Sequence, residues 1–480
     1  MKRLNIIRTI LLSLSFTYSI TSIGESLNKN ENIVYVSSSG NDNNTGFSIK
    51  TPLRTIAAAV KKGKDLKLKC GDVFYESVIL DKQSLSSYGK GKKPVISGWK
   101  RIYNSQWKKQ DEKIWQIDLE NKDFRGRTDT NKSINNIGLI RNIDTGQLYG
   151  VKRQFVYKKN CPTEKFGVQR DTWLRSDMEF AQTSNSGYDK PVKSDYRYLY
   201  LYSETNPNGL NLEFSTYGNG ITAKNSSING IRIEGFSCHG IAAGTETTII
   251  DCEICFIGGA QQMGNRKWVR YGNGIEYGVD KFLENGYAGY NIISHSFDCG
   301  TTIQGSNFTG AYPRNIVFEH NRIYNCRQAF EYFLNNDDKK TGEKYDCVDC
   351  AFRNNICIDN GNNGFGTHES RDGQILSYQN DYVSSIKIEN NIFVGGTSLY
   401  FAIHPENIHF GKGNVFFLTE GTTLWSPYQA NGRIKYSSNN IKDVRKKLIG
   451  KGVDIGKFKL VKVSAKKLEK LKKKYLETNL

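Results

Sequence analysis

The sequence has little proline and few of the residues that favour long helices. Among 480 residues there are only eight Pro and three Met, and Leu and Ala are scarce beside Asn, Gly, Ile and Tyr. So few prolines beside 46 glycines exclude a collagen-like chain and argue against a disordered one. The frequent residues suit strands and turns better than long helices. A chain of this length forms either more than one ordinary domain or one long solenoid.

Beyond its N-terminus, the chain has no run long and apolar enough to cross a bilayer. The N-terminus itself combines a basic head (residues 1–8) with an apolar, hydroxyl-rich body (residues 9–20). Small residues at Ser22 and Gly24 complete a cleavage site. This pattern predicts a secretory signal peptide over residues 1–24, and hence a secreted, periplasmic or cell-surface protein.

The charge balance favours an anionic partner. Lys and Arg number 67 against 48 Asp and Glu, which gives a net charge of +19. An acidic polysaccharide, a membrane surface or a nucleic acid would be attracted by this charge, whereas a dispersed lysine face would only keep the protein soluble. The sequence contains no nucleic-acid recognition module. We therefore expect neither a nucleic-acid partner nor a membrane span.

Ten cysteines would permit disulfides in an exported chain, and the sequence leaves their pairing open. Cys252 and Cys255 fall in a strand-like run, where two intervening residues place the thiols on opposite faces and make a shared zinc ion unfavourable. Cys347 and Cys350 lie in a polar loop and could pair or bind metal, but no second pair with the usual spacing accompanies them. We therefore expect no metal site.

Three short motifs mark the start of the ordered chain. They are YVSSSGND from Tyr35, TIAAA from Thr55 and GDVFY from Gly71, and they predict a short strand, one helix over about residues 53–62 and further strands. Their order resembles the N-terminal cap of the pectate-lyase-like superfamily of right-handed parallel β-helices. The resemblance implies an all-β solenoid whose cap and first coils occupy residues 25–98, and it says little about the reaction.

The next segment, residues 99–217, is rich in Trp, Tyr and Phe among charged loops and has no short repeat. IWQID from Ile114 and YLYLY from Tyr198 indicate alternating strands of a small β subdomain inserted after the cap. Such an insertion is familiar in carbohydrate-active members of the superfamily. Its aromatic residues, which include Trp107, could stack on sugars, although such residues more often fill a small core.

Four aligned segments reveal a repeat in the main part of the chain, residues 218–425. They begin at Asn291, Asn321, Asn354 and Asn390, with spacings of 30, 33 and 36 residues, and each Asn precedes an apolar residue by two positions. Such self-similarity with loops of variable length is typical of a solenoid whose coils are about 4.8 Å apart. We expect the Asn side chains to hydrogen-bond along the stack and the aligned Ile residues to form an internal column.

The C-terminal segment, residues 426–480, is basic and has helical spacing over residues 463–476. It could cap the open end of the solenoid or form a tail attracted to an anionic surface. The cap is the better interpretation, because an open β edge needs covering.

Candidate catalytic residues come from the second strand of each repeat. When these strands are aligned on their apolar residue, Glu276, Gln304, Glu331 and Gly366 form one column. Glu276 and Glu331 would then lie two coils apart, roughly 9–10 Å, near the upper limit for two carboxyl groups that flank a glycosidic bond and a water. Asp298, in the turn before Gln304, could approach the same face. Carboxyl groups in different environments can divide into an acid and a base.

Residues 221–401 also resemble carbohydrate-active β-helix proteins in the order of their motifs. These are GNGIE from Gly272, D-x-G-x-x-x-Q from Asp298 and an Asn-led strand that runs on to Glu331. The resemblance implies a polysaccharide groove along the solenoid. Together with the paired carboxyl groups and the predicted signal peptide, it leads us to expect a secreted glycoside hydrolase without a cofactor. We expect the catalytic residues to be Glu276, Asp298 and Glu331. The expected substrate contacts are Gln304, Arg270, Arg322 and His368.

Two other functions fit the same residues. A polysaccharide lyase would cleave an acidic glycan by β-elimination, with a cation or an Arg to neutralise the uronate and a base to take the proton. The basic surface would suit that substrate, and Ca²⁺ could then be a cofactor, but the compact Asp cluster of the calcium site in pectate-lyase relatives is not visible. A non-catalytic solenoid could bind carbohydrate as an adhesin, since a fold does not settle function.

Overall fold

The architecture comes from a computed structural model of the chain. The structure describes residues 32–102, 106–119, 135–153, 174, 179–183, 196–262, 270–305, 312–334, 346–361, 365, 373–377, 384–402, 410–427, 434–436, 441–450 and 458–478. The signal peptide predicted over residues 1–24 lies outside these ranges, and so do Gly366 and His368.

Most of the described chain winds into a right-handed coil of short strands. One complete coil passes through Ile221–Lys224, Ser227–Asn229 and Arg232–Glu234, and each strand pairs in parallel with the equivalent strand of the next coil. Three long sheets result, which we call C, A and B in the order in which one coil passes through them. The fold predicted from the sequence, an all-β right-handed parallel β-helix, is confirmed.

Within each sheet, the strands lie side by side in the order of the coils. Sheet A contains Ile33–Val36, Asp65–Lys69, Ser84–Tyr88, Ser227–Asn229, Thr248–Ile250, Glu284–Gly289, Arg314–Glu319, Ala351–Arg353 and Lys387–Glu389. Sheet B contains Val73–Phe74, Val95–Ser97, Arg232–Glu234, Glu253–Ile257, Ile292–Ser296, Arg322–Tyr324, Ile356–Ile358, Ile392–Val394, Val415–Leu418 and Lys459–Lys462. Sheet C contains Val78–Asp81, Ile221–Lys224, Ile241–Ala243, Ile275–Tyr277, Cys299–Gly305, Gln328–Leu334, Ile375–Ser377, Ser398–Ala402, Thr423–Pro427 and Ile434–Lys435.

Alternate residues of the strands point into the solenoid and stack on their equivalents in neighbouring coils. In sheet B this inner column contains Ile293, Ile323 and Cys357, which are fully buried. Burial of one such apolar side chain contributes about 1.5–3 kcal/mol, so the stacked interior is a main source of stability. Two members of the predicted Ile column, Ile356 and Ile392, instead lie on the outer side of sheet B, because each strand begins one residue later than the alignment assumed.

A column of buried asparagines runs along the corner between sheets A and B. Its members are Asn291, Asn321, Asn355, Asn391 and Asn414. The Nδ2 atom of each donates to the Oδ1 atom of the next, at 2.9, 3.0, 3.1 and 3.1 Å. The same Oδ1 atoms also accept from the backbone N–H groups of the preceding asparagines. The predicted asparagine ladder is therefore present, and each amide is satisfied by its neighbours.

Two members of the ladder lie one residue later than predicted. The sequence alignment chose Asn354 and Asn390, but these residues turn the corner just before the ladder, each with a φ of 56°. Asn adopts this left-handed conformation more readily than most residues, because its short polar side chain can bond locally. Both positions belong to an Asn-Asn pair, so the sequence itself does not say which of the two points inward.

The N-terminal cap contains a short helix, α1 (Ile56–Val60). It begins later than the predicted range of residues 53–62, because Leu53 forms a β-bridge with Val36 and is extended there. Thr55 caps the helix, since its side-chain oxygen accepts a hydrogen bond at 3.1 Å from the backbone N–H group three residues later.

The insertion forms two sheets and a core of its own. One sheet contains Trp99–Arg101, Ile140–Asn142, Leu148–Tyr149 and Leu212–Ser215, and the other contains Lys108–Lys109, Ile114–Asp118, Val151–Arg153, Glu179–Thr183 and Tyr198–Tyr202. The insertion also contains a 3₁₀ turn at Pro207–Gly209. Outside the insertion, Ala260–Gln261 pairs with Arg270–Tyr271 as a separate antiparallel ribbon. Trp107, Phe180 and Leu199 are buried together, which favours the core interpretation of the aromatic residues.

The insertion leaves the stack of coils unbroken. The strand Val78–Asp81, which precedes the insertion, pairs directly with Ile221–Lys224, which follows it. The strands of sheets A and B continue across the insertion in the same way. The 119 residues predicted to form the insertion (residues 99–217) therefore leave and rejoin the solenoid at one corner of a single coil.

The C-terminal segment forms two helices with different roles. Helix α2 (Ile441–Ile449) places Val444 and Leu448 in the solenoid core, so it covers the open end as a cap. Helix α3 (Ala465–Glu477) instead packs Leu468 against the outer side of sheet B and leaves most of its lysines exposed. None of the described helices is long and apolar enough to cross a membrane.

The nine cysteines that the structure describes are free thiols, and eight of them are buried. Cys252 lies in the interior, whereas Cys255 faces outward with its Sγ atom 3.8 Å from Glu234 Oε2. The two thiols therefore lie on opposite faces, as the strand alternation predicted. Cys347 and Cys350 are fully buried and contact each other through a hydrogen bond.

Truncation of one ladder amide should destabilise the solenoid. Asn355→Ala removes the acceptor of Asn321 and leaves the Phe318 carbonyl without its side-chain donor. Since each buried unsatisfied group costs about 1–3 kcal/mol, we expect a loss on the order of 3 kcal/mol in the free energy of unfolding, measured by chemical denaturation. The exposed Asn229→Ala variant is the control and should change by less than about 0.5 kcal/mol. Equal denaturation midpoints for both variants would show that the asparagine ladder contributes no stability.

Candidate active site

The outer face of sheet C brings the predicted glutamates into one column. Glu276 pairs with Thr302, and Thr302 pairs with Glu331. The two glutamates therefore lie two coils apart, roughly 9–10 Å. The alignment placed Gln304 between them because it assigned an apolar residue to the inner position of this strand. That placement is wrong, because Thr301 fills the inner position. Gln304 lies two residues further along the same strand and on the same face.

Glu331 is almost fully buried near the centre of the site. Its Oε2 atom accepts hydrogen bonds from Gln304 Nε2 at 2.8 Å, Cys299 Sγ at 3.2 Å and Thr302 Oγ1 at 3.4 Å. Burial, together with the negative charge of Asp298, raises the pKa of Glu331 to about 7, although the bonds from Cys299 and Gln304 oppose the rise. The carboxyl group therefore keeps its proton through the mildly acidic range.

Asp298 lies in the turn before the strand Cys299–Gly305, beside an arginine. Its Oδ1 atom is 3.4 Å from Arg327 Nη1, and its carbonyl oxygen accepts from the Arg327 backbone N–H group at 3.1 Å. The guanidinium group therefore provides Asp298 with a charged hydrogen-bond donor. Because Cys299 Sγ lies 4.0 Å from Asp298 Oδ1 and 3.2 Å from Glu331 Oε2, these two oxygen atoms are at most about 7 Å apart.

Glu276 is held by an asparagine and lies beside a histidine. Its Oε2 atom accepts from Asn273 Nδ2 at 2.7 Å and lies 3.1 Å from His239 Nδ1. The backbone N–H group of Asn273 donates to the same His239 atom at 3.2 Å, and Asn273 Oδ1 accepts from the Cys299 backbone N–H group at 2.9 Å. Asn273 therefore links the carboxylate of Glu276 to the turn that carries Asp298.

Four residues of this arrangement were not predicted, namely His239, Asn273, Cys299 and Arg327. Asn273 belongs to the GNGIE motif, so the motif contained it without indicating its role. His239 comes from the coil before Glu276, and Arg327 from the coil after Asp298. Neither has a local sequence signal, because the contact exists only once the coils are stacked in register.

Two predicted substrate contacts bond to the backbone and not to the carboxyl groups of the site. The buried guanidinium group of Arg270 donates to three backbone carbonyl groups at 2.8–2.9 Å, two of them in the insertion at Gly138 and Gly150. It therefore joins the insertion to the solenoid. Arg322 lies on sheet B and donates to the backbone at the end of α3, so its expected place on the candidate face is wrong. The expectation for His368 concerns a residue outside the described ranges.

The arrangement provides two carboxyl groups in unequal environments. Glu331 is buried and its pKa is raised, whereas Asp298 faces the guanidinium group of Arg327. Such a pair can supply a general acid together with a base or nucleophile. Within the described ranges, there is no group of three or more His, Cys, Asp or Glu residues arranged to hold a metal ion.

Comparison with known proteins finds similarity at the level of structure. No protein-family model matches the chain, and no curated protein matches it. A structure of XylC with xylose is 12% identical, with 81% of this chain and 69% of that chain covered and a TM-score of 0.42. A structure described as a glycoside hydrolase is 11% identical, with 80% and 96% covered and a TM-score of 0.42. The native GH136 lacto-N-biosidase from Eubacterium ramulus is 12% identical, with 90% and 68% covered and a TM-score of 0.36.

Glu331 should make the stability of the folded protein depend on pH. Because its pKa is raised from 4.5 to about 7, the folded protein binds this proton more tightly than the unfolded chain does. The stability that the proton provides is full below about pH 4.5 and is lost as the pH rises through about 7. Between pH 5 and pH 8, the wild type should therefore lose on the order of 2–3 kcal/mol relative to Glu331→Gln.

The measurement is the free energy of unfolding of both proteins across this pH range. Glu389→Gln, on the outer side of sheet A, is the matched control and should follow the wild type in parallel. If the Glu331→Gln curve is also parallel to the wild type, the pKa of Glu331 is not raised.

Proposed function

We propose that the protein is an exported glycoside hydrolase in which Glu331 is the general acid and Asp298 is the base or nucleophile. The observation that carries this proposal is the unequal pair, in which the pKa of one carboxyl group is raised to about 7 and the other carboxyl group faces an arginine. Carboxyl groups whose environments separate their acidities are typical of glycosidases. The basic and apolar N-terminus supports export.

The proposed reaction begins with proton transfer from Glu331 to the glycosidic oxygen, while the bond to the anomeric carbon breaks. Asp298 then either attacks the anomeric carbon directly or takes a proton from an attacking water. Retaining enzymes hold their two carboxyl groups about 5–5.5 Å apart and inverting enzymes about 6.5–9.5 Å apart. The upper limit of about 7 Å between Asp298 and Glu331 is compatible with both.

Glu276 and Gln304 extend the polar surface on either side of Thr302. Sugar hydroxyl groups are donors as well as acceptors, and the carboxyl group of Glu276 can accept from them while Asn273 holds it in place. Gln304 orients Glu331 through its amide. In this proposal Glu276 binds the sugar and keeps it aligned with the Asp298 and Glu331 pair.

The local charge supports a neutral glycan as the substrate. The described residues of the site contribute the carboxyl groups of Glu276, Asp298 and Glu331 against the guanidinium group of Arg327. A uronic-acid polymer would bring further negative charge to this face. The lyase alternative is therefore less well supported, because elimination needs a cation to neutralise the uronate, and Arg270 and Arg322 are bonded elsewhere.

Substitution of either member of the pair should remove activity without unfolding the protein. Glu331→Gln and Asp298→Asn should each lower kcat/KM by about 10²-fold or more, because each removes a proton-transfer or nucleophilic group. The assay measures reducing ends released from a panel of neutral and acidic glycans, and thermal unfolding checks that the variants fold. Glu389→Gln, remote from the site on sheet A, should retain full activity.

The products distinguish the alternatives. Reducing ends without ultraviolet-absorbing unsaturated sugars support hydrolysis, whereas unsaturated products would replace the proposal with a lyase. Binding of glycans without cleavage by the wild type would favour the adhesin interpretation. Full activity in both Glu331→Gln and Asp298→Asn would remove the pair from the mechanism.

A further inference from the structure

A second feature of sheet C is a pocket of about 420 Å³ beside Glu276, on the side nearer the N-terminus. Its floor is the outer face of the first two strands of sheet C, at Ile79 and Thr222. Its walls come from Tyr217, Cys238, His239 and Tyr271. Among the described residues, none that the sequence predicted to bind substrate lines this pocket.

The pocket lies on the same outer column as the catalytic pair. Thr222 pairs with Ala242, and Ala242 pairs with Glu276, so the pocket floor is roughly 9–10 Å from Glu276 along the solenoid axis. Thr222 and Ala242 have short side chains, which leave this stretch of the column recessed. The pocket floor therefore lies on the same line along the solenoid axis as Glu276 and Glu331.

His239 connects the pocket to the catalytic site. One edge of its ring lies 3.1 Å from Glu276 Oε2, and the ring packs edge-on against Tyr271 with centroids 5.4 Å apart. A molecule in the pocket and a sugar at Glu276 would therefore contact the same histidine. The two sites are therefore neighbours on the outer face of sheet C.

The chemistry of the walls suits an uncharged polyol. Tyr271 OH lies 3.0 Å from Cys238 Sγ, and Tyr217 bonds to the same pair. Burial, with these two neighbours, raises the pKa of Tyr271, so its hydroxyl group stays neutral. Rings that combine an apolar face with a polar edge are typical of small-molecule pockets. The described residues that line the pocket include no Lys or Arg, and the carboxyl group of Glu276 adjoins it.

We propose that this pocket is a binding subsite for an uncharged sugar unit, so that a neutral glycan runs along sheet C from Ile79 past Glu276 to Asp298 and Glu331. The inference rests on the proposed function, since it places the bound chain relative to the catalytic pair. It adds the direction in which the substrate extends and the class of sugar that this end accepts. A uronate in the pocket would face Glu276, and no Lys or Arg stands among the described lining residues to neutralise it.

The test places a larger side chain on the pocket floor. Thr222→Phe, on the outer face of its strand, should occupy the recess without changing the strand pairing, and Thr248→Phe makes the same change at a half-buried outward position of sheet A. Both are made in the Glu331→Gln background, and binding is measured by calorimetry. The probes are cello-, xylo- and manno-oligosaccharides from disaccharide to hexasaccharide, with oligogalacturonides of the same lengths.

We expect at least one neutral series to bind with an affinity that rises with length. Thr222→Phe should lower the affinity for the hexasaccharide by about tenfold or more, which is the loss expected when one subsite worth about 1.4 kcal/mol is closed. Thr248→Phe should leave this affinity unchanged. Ile79→Ala, at the exposed end of the pocket floor, should weaken binding of the hexasaccharide in the same direction. This second variant keeps the test valid if Thr222→Phe misfolds.

The other outcomes separate the two proposals. If the wild type hydrolyses a neutral glycan but Thr222→Phe and Ile79→Ala bind its hexasaccharide as tightly as the parent does, the subsite is wrong and the hydrolase stands. If oligogalacturonides bind more tightly than every neutral series and Thr222→Phe abolishes that binding, the pocket accepts an acidic sugar. If no glycan is bound or cleaved, the proposed function fails and the subsite fails with it.

Discussion

Parallel pairing of equivalent residues in successive coils is the constraint on which both the fold and the site depend. The backbone ladders space the coils about 4.8 Å apart, and a slip of one residue would exchange the inner and outer faces of a strand. The pairing that stacks Ile323 on Cys357 in the interior also places Glu331 two coils from Glu276 on the outside. The asparagine ladder reinforces this register, because each buried amide is satisfied only when the neighbouring coil is correctly placed.

The site lies where the chain departs from the regular pattern of the solenoid. Thr301 takes an inner position that elsewhere in sheet C is apolar, and its hydroxyl group must bond to the Ala329 carbonyl at 2.9 Å. Next to it, the Cys299 thiol and the Glu331 carboxyl group are buried together on the outer side. Burial of an acid in this way costs stability when the acid ionises. The solenoid tolerates this cost locally because the inner columns of the neighbouring coils remain apolar.

The sequence predicted the solenoid well because its strongest signals are local. The cap motifs, the Asn-led strands and the strands of the insertion are each recognisable from a few consecutive residues. The structure contains all three kinds of element. The catalytic column was predicted in part: Glu276 and Glu331 lie where the repeat placed them, but Gln304 does not. Alignment on the apolar residue failed there, because a threonine fills the inner position of that strand.

The remaining features of the site depend on contacts between coils, which sequence patterns do not encode. Arg270 was expected at the substrate face because it is basic and near the glutamates in sequence, yet its guanidinium group bonds to the backbone of the insertion. His239 reaches Glu276 from the preceding coil, 37 positions earlier in the chain. The turn lengths that bring such residues together vary from coil to coil, so no fixed spacing reveals them.

The asparagine ladder also gives the solenoid an electrical polarity. Every Nδ2 atom donates toward the coil that follows, so the amide dipoles point the same way and polarise one another. The oxygen end of this row is closed by the Cys252 backbone N–H group, at 2.9 Å from Asn291 Oδ1. The nitrogen end is closed by the carbonyl groups of Ile388 and Gly411, which accept from Asn414. Because both ends are closed by backbone groups, a coil could be added to or removed from the middle of the row without leaving an amide unsatisfied.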